Sequence, residues 1–136
     1  LPGGLEKTHE FRDRFVGILP PGIPDAAREA RFHEEPLIGL APDSETGRKL
    51  DQWHSDHGQK INPSMQIDSF DLMINLVSLG FGVAVVPIRA LAIYGRRKPV
   101  TRLEFDPAFE RQLIVVARRD RYRPDHLRDF IDQILF

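Results

Sequence analysis

Cysteine is absent from this chain of 136 residues. The absence excludes a disulfide scaffold, a thiol nucleophile and any zinc site built on cysteine. It also fits a reducing compartment, so we predict a cytoplasmic location. Without disulfides the fold must depend on a hydrophobic core, and a hydrophobic content of 41% is sufficient for one globular domain of this length.

Long hydrophobic runs are absent as well. A membrane-spanning helix requires roughly 20 consecutive apolar residues, and no segment of this sequence approaches that length. The first residues also lack the basic and apolar regions of a secretory signal peptide. We therefore expect that the chain has no membrane partner.

An excess of charge of either sign is also missing. Lysine and arginine number 19, aspartate and glutamate number 20, and the net charge is -1. Protein surfaces that bind nucleic acid are usually strongly basic. We infer that this chain does not bind DNA by itself.

Catalytic motifs are not apparent in the sequence. The serines lie in no G-x-S-x-G elbow, and Gly80-Phe81-Gly82 follows a predicted helix, which is the reverse of the Rossmann order. Asp51, His54 and His57 share one face of a predicted helix, so they fit either a metal site or a solvated helix face. Because no known zinc spacing is present, we favour the solvated face. We predict no catalytic residues, no metal and no cofactor.

The most informative segment, residues 67–87, has the pattern of a strand end, a helix and a second strand. Asp68 or Ser69 can cap the helix. Apolar residues then recur at helical spacing: Phe70, Met73, Leu76 and Val77. A β-branched run over residues 83–86 follows and predicts a buried strand. Because the helix begins where a strand ends, its N–H groups point toward the crevice in which open α/β sheets bind ligands.

A similar arrangement occurs earlier in the chain. The predicted strand over residues 37–40 is followed by a helix that Asp43 or Ser44 can cap. A serine hydroxyl at either helix start can cap its own helix or contact a ligand oxygen, and the two interpretations have equal weight from the residues alone. Trp53 is expected to belong to the core before it is a ligand contact.

The remaining elements follow from similar patterns. We predict a Gly-Pro loop over residues 1–8, strands over 14–19, 65–67, 100–105 and 112–118, a charged connection over 24–33 with room for a short helical turn, and a short helix over 88–94. Strands that alternate with helices favour parallel βαβ units and a doubly wound sheet. An apolar stripe predicts a terminal helix: Leu127, Phe130, Ile131, Ile134 and Leu135.

The run from Gln66 to Pro87 resembles the second lobe of the effector-binding domain of LysR-type transcriptional regulators. Asp68-Ser69 at the helix start and the G-x-G-V sequence from Gly80 to Val83 are typical of that lobe. Three flanking segments are similar to its neighbouring strands and loops: Phe15–Gly22, Glu35–Ser44 and Leu113–Asp120. The resemblance covers nearly the whole chain from Phe11 onward and includes no helix-turn-helix.

The resemblance implies a periplasmic-binding-protein-like α/β fold of type 2. In this fold a Rossmann-like lobe is joined by hinge-crossing strands to another lobe, most of which would be missing from this chain. Residues 1–22 would be a remnant of the first lobe with the first hinge strand. Residues 23–110 would form the second regulatory lobe, and residues 111–136 the returning hinge strand and the C-terminal helix of the first lobe.

The resemblance also implies a function. A small, anionic effector would bind in the cleft between the lobes and change how the subunits of a homo-oligomer, a dimer or tetramer, present their DNA-binding heads. DNA would be contacted only through an N-terminal helix-turn-helix that precedes this fragment. The effector-binding residues implied are Pro42, Asp43, Ser44, Asp68, Ser69 and Phe70. A solute-binding protein of a transport system is the alternative, and an enzyme fragment would need a catalytic pair that the sequence does not offer.

Overall fold

The computed structural model of the chain describes residues 5–59, 65–94 and 99–118. Its elements are β1 (Leu5–Leu19), α1 (Asp25–Glu34), β2 (Gly39–Leu40), α2 (Glu45–Asp56), β3 (Gln66–Ile67), α3 (Phe70–Ser78), β4 (Ala84–Pro87), α4 (Ile88–Tyr94), β5 (Thr101–Leu103) and β6 (Glu110–Arg118). None of the described helices is long and apolar enough to cross a bilayer.

Two compact units divide the chain. The lobe unit comprises residues 14–109. The ribbon unit comprises residues 1–13 and 110–136, of which residues 5–13 and 110–118 are described. β1 contributes its first part to the ribbon unit and its last part to the lobe unit. The domain boundaries that the resemblance implies, at residues 22 and 110, remain predictions.

Two sheets, linked by a single bridge, form the centre of the lobe unit. β2 and β3 are parallel neighbours, and a parallel bridge joins Leu37 to Val83, the residue before β4. β1 lies antiparallel to β4 on one side and to β5 on the other. The prediction of parallel βαβ units is therefore right for β2, β3 and β4. It is wrong for β1 and β5, because alternating strands and helices do not specify the direction of the strands that flank them.

The helix predicted in the most informative segment is present as α3, and the turn that ends it is a Schellman motif. Gly80 has a φ of 88°, in the left-handed region that favours glycine. The Phe81 N–H donates to the carbonyl of Leu76 at 3.0 Å, and the Gly80 N–H donates to that of Val77 at 3.0 Å. These bonds satisfy two carbonyls that a helix end would otherwise leave without partners. The glycine in the predicted position thus ends the helix and directs the chain into β4.

The core of the lobe unit lies between its sheet and helices. Its largest fully buried side chains are Phe15, Phe32, Ile18, Leu19, Ile38, Leu50, Met73 and Ile74. α3 buries Met73, Ile74 and Val77, which recur at helical spacing. Full burial of each such side chain is worth roughly 1.5–3 kcal/mol. The position of α3 is therefore fixed by its apolar face, and the polar start of the helix is left at the sheet edge.

Two predictions of local structure are wrong. The segment expected to be a Gly-Pro loop contains strand from Leu5 onward. This strand forms because it pairs with β6, and its polar sequence does not predict that pairing. The charged connection over residues 24–33, expected to hold at most a short helical turn, is the ten-residue helix α1. Only Phe32 is buried on α1, so the helix has almost no apolar periodicity to detect. An ion pair at 2.7 Å between Arg28 and Asp25 supports its exposed face.

The ribbon unit is built on the pairing of β1 with β6. The Thr8 hydroxyl donates to the carbonyl of Val115 at 3.0 Å. Asp13 is almost fully buried, and Arg111 binds one of its oxygens through both Nε and Nη2 at 3.0 Å. A carboxylate this buried requires such a charged partner. The predicted C-terminal helix, with its stripe from Leu127 to Leu135, lies outside the described residues.

Candidate functional site

Two adjacent strand ends define the predicted site. β2 and β3 run parallel with Leu40 opposite Ile67, so both strands end at the same edge of the sheet. The Ala41 N–H donates to the carbonyl of Ile67 at 2.8 Å and extends the pairing by one step. The two loops implied by the resemblance, residues 42–44 and 68–70, therefore begin at neighbouring points.

Ser44 is the N-cap of α2. Its backbone is extended, and its Oγ accepts a hydrogen bond from the Gly47 N–H at 3.0 Å. A Cβ at Gly47 would lie 2.1 Å from the carbonyl oxygen of Ala41. Only glycine lets the first turn of α2 approach the end of β2 this closely. The structure thus selects Ser44, and not Asp43, from the two predicted caps.

Ser69 is the N-cap of α3. Its Oγ accepts a hydrogen bond from the Leu72 N–H at 3.2 Å, and its backbone is also extended. The next residue, Phe70, is half-buried and packs edge to face on Phe15 with ring centroids 5.8 Å apart. The predicted contact residue Phe70 is thus anchored to the core in the first turn of the helix. Ser69, and not Asp68, is the cap.

The two loops combine helix starts with carboxylates. An α-helix N-terminus carries partial positive charge, and two such termini face the same edge here. Pro42, Asp43 and Asp68 are exposed, whereas Ser69 is half-buried. A hydrogen bond and charge attraction from Lys49, 2.9 Å away, lower the pKa of the Glu45 carboxyl. The edge can thus offer hydroxyl and N–H donors to an anion and carboxylate acceptors to ligand hydroxyls.

His54 contradicts the interpretation of its helix as a solvated face. It is 1% exposed, whereas Asp51 and His57 on the same helix are exposed. Its Nδ1 is 3.0 Å from Oε1 of Gln59, and Nε2 has no hydrogen-bond partner among the described residues. Burial lowers the pKa of His54, although the hydrogen bond that its Nδ1 donates to Oε1 of Gln59 opposes this. The position of His54 four residues after buried Leu50 is the sequence signal that could have identified it.

A metal site receives no support from the described part of the chain. Within residues 5–59, 65–94 and 99–118, no group of three histidine, cysteine, aspartate or glutamate side chains could hold a metal ion. Asp51 and His57 are not joined to His54 by a common ligand geometry. His57, the C-cap residue of α2, packs instead: its ring lies over Trp53 with centroids 4.1 Å apart.

Comparisons with known proteins identify the family. A family model described as the LysR substrate binding domain matches residues 1–135. No curated protein matches the chain closely enough to count as a relative. The resemblance found in residues 66–87 is therefore confirmed by a match that covers almost the entire chain.

Solved structures with the same fold are regulatory domains. The CcmR regulatory domain of Synechocystis PCC6803 in complex with 2-PG has 18% identity and a TM-score of 0.66, over 96% of this chain and 65% of that one. The effector-binding domain of QuiR in complex with shikimate has 18% identity and a TM-score of 0.60, over 98% and 65%. The bromide-bound regulatory domain of HypT from Salmonella typhimurium has 16% identity and a TM-score of 0.68, over 96% and 63%.

This chain thus spans less than two thirds of the length of those domains. At such identities the similarity establishes the fold, and the α/β class with a type 2 periplasmic-binding-protein-like topology is as predicted. The chain belongs to the LysR substrate binding domain family, whose members are effector-binding regulatory domains and not enzymes.

Proposed function

We propose that this domain senses a small hydroxylated carboxylate at the edge where β2 and β3 end. The observation that carries the proposal is the pair of serine-capped helix starts, Ser44 and Ser69, placed after two adjacent parallel strands. Partial positive charge at the two helix N-termini favours an anionic group. Asp43 and Asp68 would accept hydrogen bonds from ligand hydroxyls.

The wider regulatory role is part of the same proposal. Ligand binding would favour one hinge geometry, and the subunits of a homo-oligomer would then present their DNA-binding heads differently. The regulator would act in the cytoplasm. The family match supports a regulator over the transport solute-binding protein left open by the sequence. Shikimate, bound by the QuiR domain, is a hydroxylated carboxylate, and bromide, bound by the HypT domain, is an anion.

The experiment is a titration of the full chain with a panel of small carboxylates that includes shikimate, each beside its neutral methyl ester. We expect carboxylates to bind better than their esters. Ser44→Ala and Ser69→Ala should weaken the best carboxylate by about tenfold, since a charge-assisted hydrogen bond contributes roughly 1.5–3 kcal/mol. Ser78→Ala is the matched control, because Ser78 lies at the other end of α3 and donates to the Asn75 carbonyl.

A second substitution separates capping from ligand contact. Aspartate caps a helix about as well as serine does. Ser69→Asp should therefore preserve stability while its negative charge repels the carboxylate, and the affinity should fall below that of Ser69→Ala. The assignment of these loops to the site would be wrong if both alanine variants kept the carboxylate affinity of the unmodified chain. It would also be wrong if Ser69→Asp kept that affinity.

A further inference from the structure

A cavity elsewhere in the lobe unit is not used by the proposed function. It has a volume of about 320 Å³ and is bounded by α1, the end of α2 and the segment that follows β5. Its lining contains none of the six predicted effector-binding residues. A volume of this order is at the lower end of the range for small-molecule pockets.

The lining combines aromatic and acidic side chains. Trp53 and Phe105 are half-buried and pack edge to face, with ring centroids 5.0 Å apart. Three exposed carboxylates belong to the same cavity, Glu29 on α1 and Glu104 and Asp106 after β5. The residues that line the cavity include no lysine or arginine. Acidic groups around an aromatic surface favour a cation over an anion.

An arginine of the protein already pairs with one of the three carboxylates that line the cavity. The guanidinium of Arg14 lies 3.0 Å from Glu104, and both side chains are about half-exposed. The pairing leaves Glu29 and Asp106 as the carboxylates most able to accept a second positive charge. A metal ion is disfavoured as the occupant, because no three acidic or histidine side chains of the described residues form a metal-binding group.

The walls of the cavity are held in place before any ligand arrives. Gln59 bonds Nδ1 of His54 at 3.0 Å and lies 3.5 Å from Nδ1 of His33, so it links the end of α2 to α1. The His57 ring is fixed over Trp53 by a contact of 2.8 Å between its Nδ1 and the Trp53 carbonyl oxygen. A cavity that is already formed avoids the entropic cost of ordering its walls.

We propose that this cavity binds a small organic cation, an ammonium carried on a compact apolar body. The ammonium pairs with Glu29 and Asp106, and the apolar body lies against Trp53 and Phe105. The site is separate from the edge where β2 and β3 end, which we call the serine edge after Ser44 and Ser69. It takes a ligand of opposite charge. The domain would thereby respond to two chemically different small molecules.

The test uses the only tryptophan of the chain as its reporter, because Trp53 lines the cavity. Three probes share one ring and differ in charge: cyclohexylammonium, cyclohexanol and cyclohexanecarboxylate. We expect cyclohexylammonium to change the Trp53 emission with a dissociation constant on the order of millimolar, in line with its small size. Cyclohexanol should bind about tenfold more weakly, and the carboxylate should not bind. Added salt should weaken the cation.

Substitutions on α1 locate the site. Glu29→Lys should reduce cyclohexylammonium affinity by about tenfold or more, because the lysine ammonium replaces a carboxylate partner and repels the ammonium of the ligand. Glu34→Lys is the matched control on the same helix, since Glu34 is exposed and does not line the cavity. Asp106→Asn should give a smaller loss. Ser69→Asp should leave cyclohexylammonium binding unchanged, which keeps this test independent of the serine edge.

Equal binding of cyclohexylammonium and cyclohexanol would overturn the proposal, because the carboxylates would then have no role. Equal losses in Glu29→Lys and Glu34→Lys would also overturn it, since a general change of net charge would explain both. Calorimetric titration of the same variants checks that the fluorescence change reports binding. Displacement of cyclohexylammonium by shikimate would show that the two ligands share one site, and the proposal would fail.

Discussion

The two strand–serine–helix segments of the lobe unit have the same start and different interiors. In each, a serine caps the helix by accepting a hydrogen bond from the N–H three residues later, at 3.0 Å from Gly47 and at 3.2 Å from Leu72. α3 then buries only aliphatic side chains and methionine, whereas α2 buries Leu50 and the polar His54. The chemistry of the helix start is thus independent of what the helix buries.

The difference shows which information is local. A cap depends on one side chain and the next turn of backbone, so it can be identified from a few residues. Burial depends on what packs against the helix from distant parts of the chain. Equivalent positions in the two segments can therefore be substituted to separate the effect of helix capping on stability from the effect of burial.

The largest effect is expected at Gly47, three positions after the cap of α2. Gly47→Ala places a Cβ 2.1 Å from the Ala41 carbonyl oxygen and 3.0 Å from Ser44 Oγ, so α2 must move away from β2. Although alanine favours helix by about 1 kcal/mol over glycine, we expect a net loss of about 2 kcal/mol in the free energy of unfolding, as for other forced overpacking. Urea denaturation measures this loss.

The equivalent position in α3 is the control. Leu72 is 43% exposed, so Leu72→Ala should cost well under about 1 kcal/mol, as surface substitutions usually do. A Gly47→Ala variant as stable as the unmodified chain would mean that the first turn of α2 does not approach β2 as closely as described.

The next effect concerns pH and distinguishes the interior of α2 from that of α3. Burial lowers the pKa of His54 in the folded state from its ordinary value of 6.5; weaker effects from Gln59 and Asp51 raise it, and a weaker effect from His57 lowers it further. The unfolded state therefore binds the additional proton first as pH falls. The contribution of His54 to stability is complete above pH 6.5 and is lost as pH falls from there through the lower folded-state pKa.

His54→Leu should remove this component, so that stability changes less between neutral and mildly acidic pH than in the unmodified chain. His9→Gln, at an exposed histidine of the ribbon unit, is the control and should retain the full acid sensitivity. Denaturant unfolding at a series of pH values gives the comparison. An identical pH profile for His54→Leu and the unmodified chain would contradict the burial of a neutral histidine in α2.

The same contrast explains what could be predicted from the sequence. The sequence predicts α4 over residues 88–94, and the helix is observed at those bounds; α3 has its cap, apolar face and glycine stop within one continuous segment. The full length of α1 cannot be predicted from the sequence, because the helix buries only Phe32 and has no apolar stripe. The first part of β1 was missed because its partner, β6, lies about a hundred residues later.

The sites follow the same rule. The serine edge could be proposed from the sequence because each loop is a short segment that directly follows a strand, and because the resemblance to LysR-type effector domains implies ligand contacts there. The acidic cavity could not, since its walls come from α1, α2 and the segment after β5, and only the fold brings Glu29, Trp53 and Asp106 together. The assignment of ligand contacts to Pro42, Asp43, Ser44, Asp68, Ser69 and Phe70 remains a prediction.

The smallest effect is expected from the caps themselves. Ser44→Ala and Ser69→Ala each remove the acceptor for one backbone N–H, and loss of a serine cap costs about 1 kcal/mol. Because both serines have extended backbones and accept from the third residue of their helix, the two losses should agree within about 0.5 kcal/mol. Chemical unfolding of the two variants in the absence of ligand measures them, and Ser44→Asp and Ser69→Asp should restore most of the stability. A loss at one serine several times that at the other would show that its hydroxyl supports more than its own helix, and the equivalence of the two helix starts would then fail.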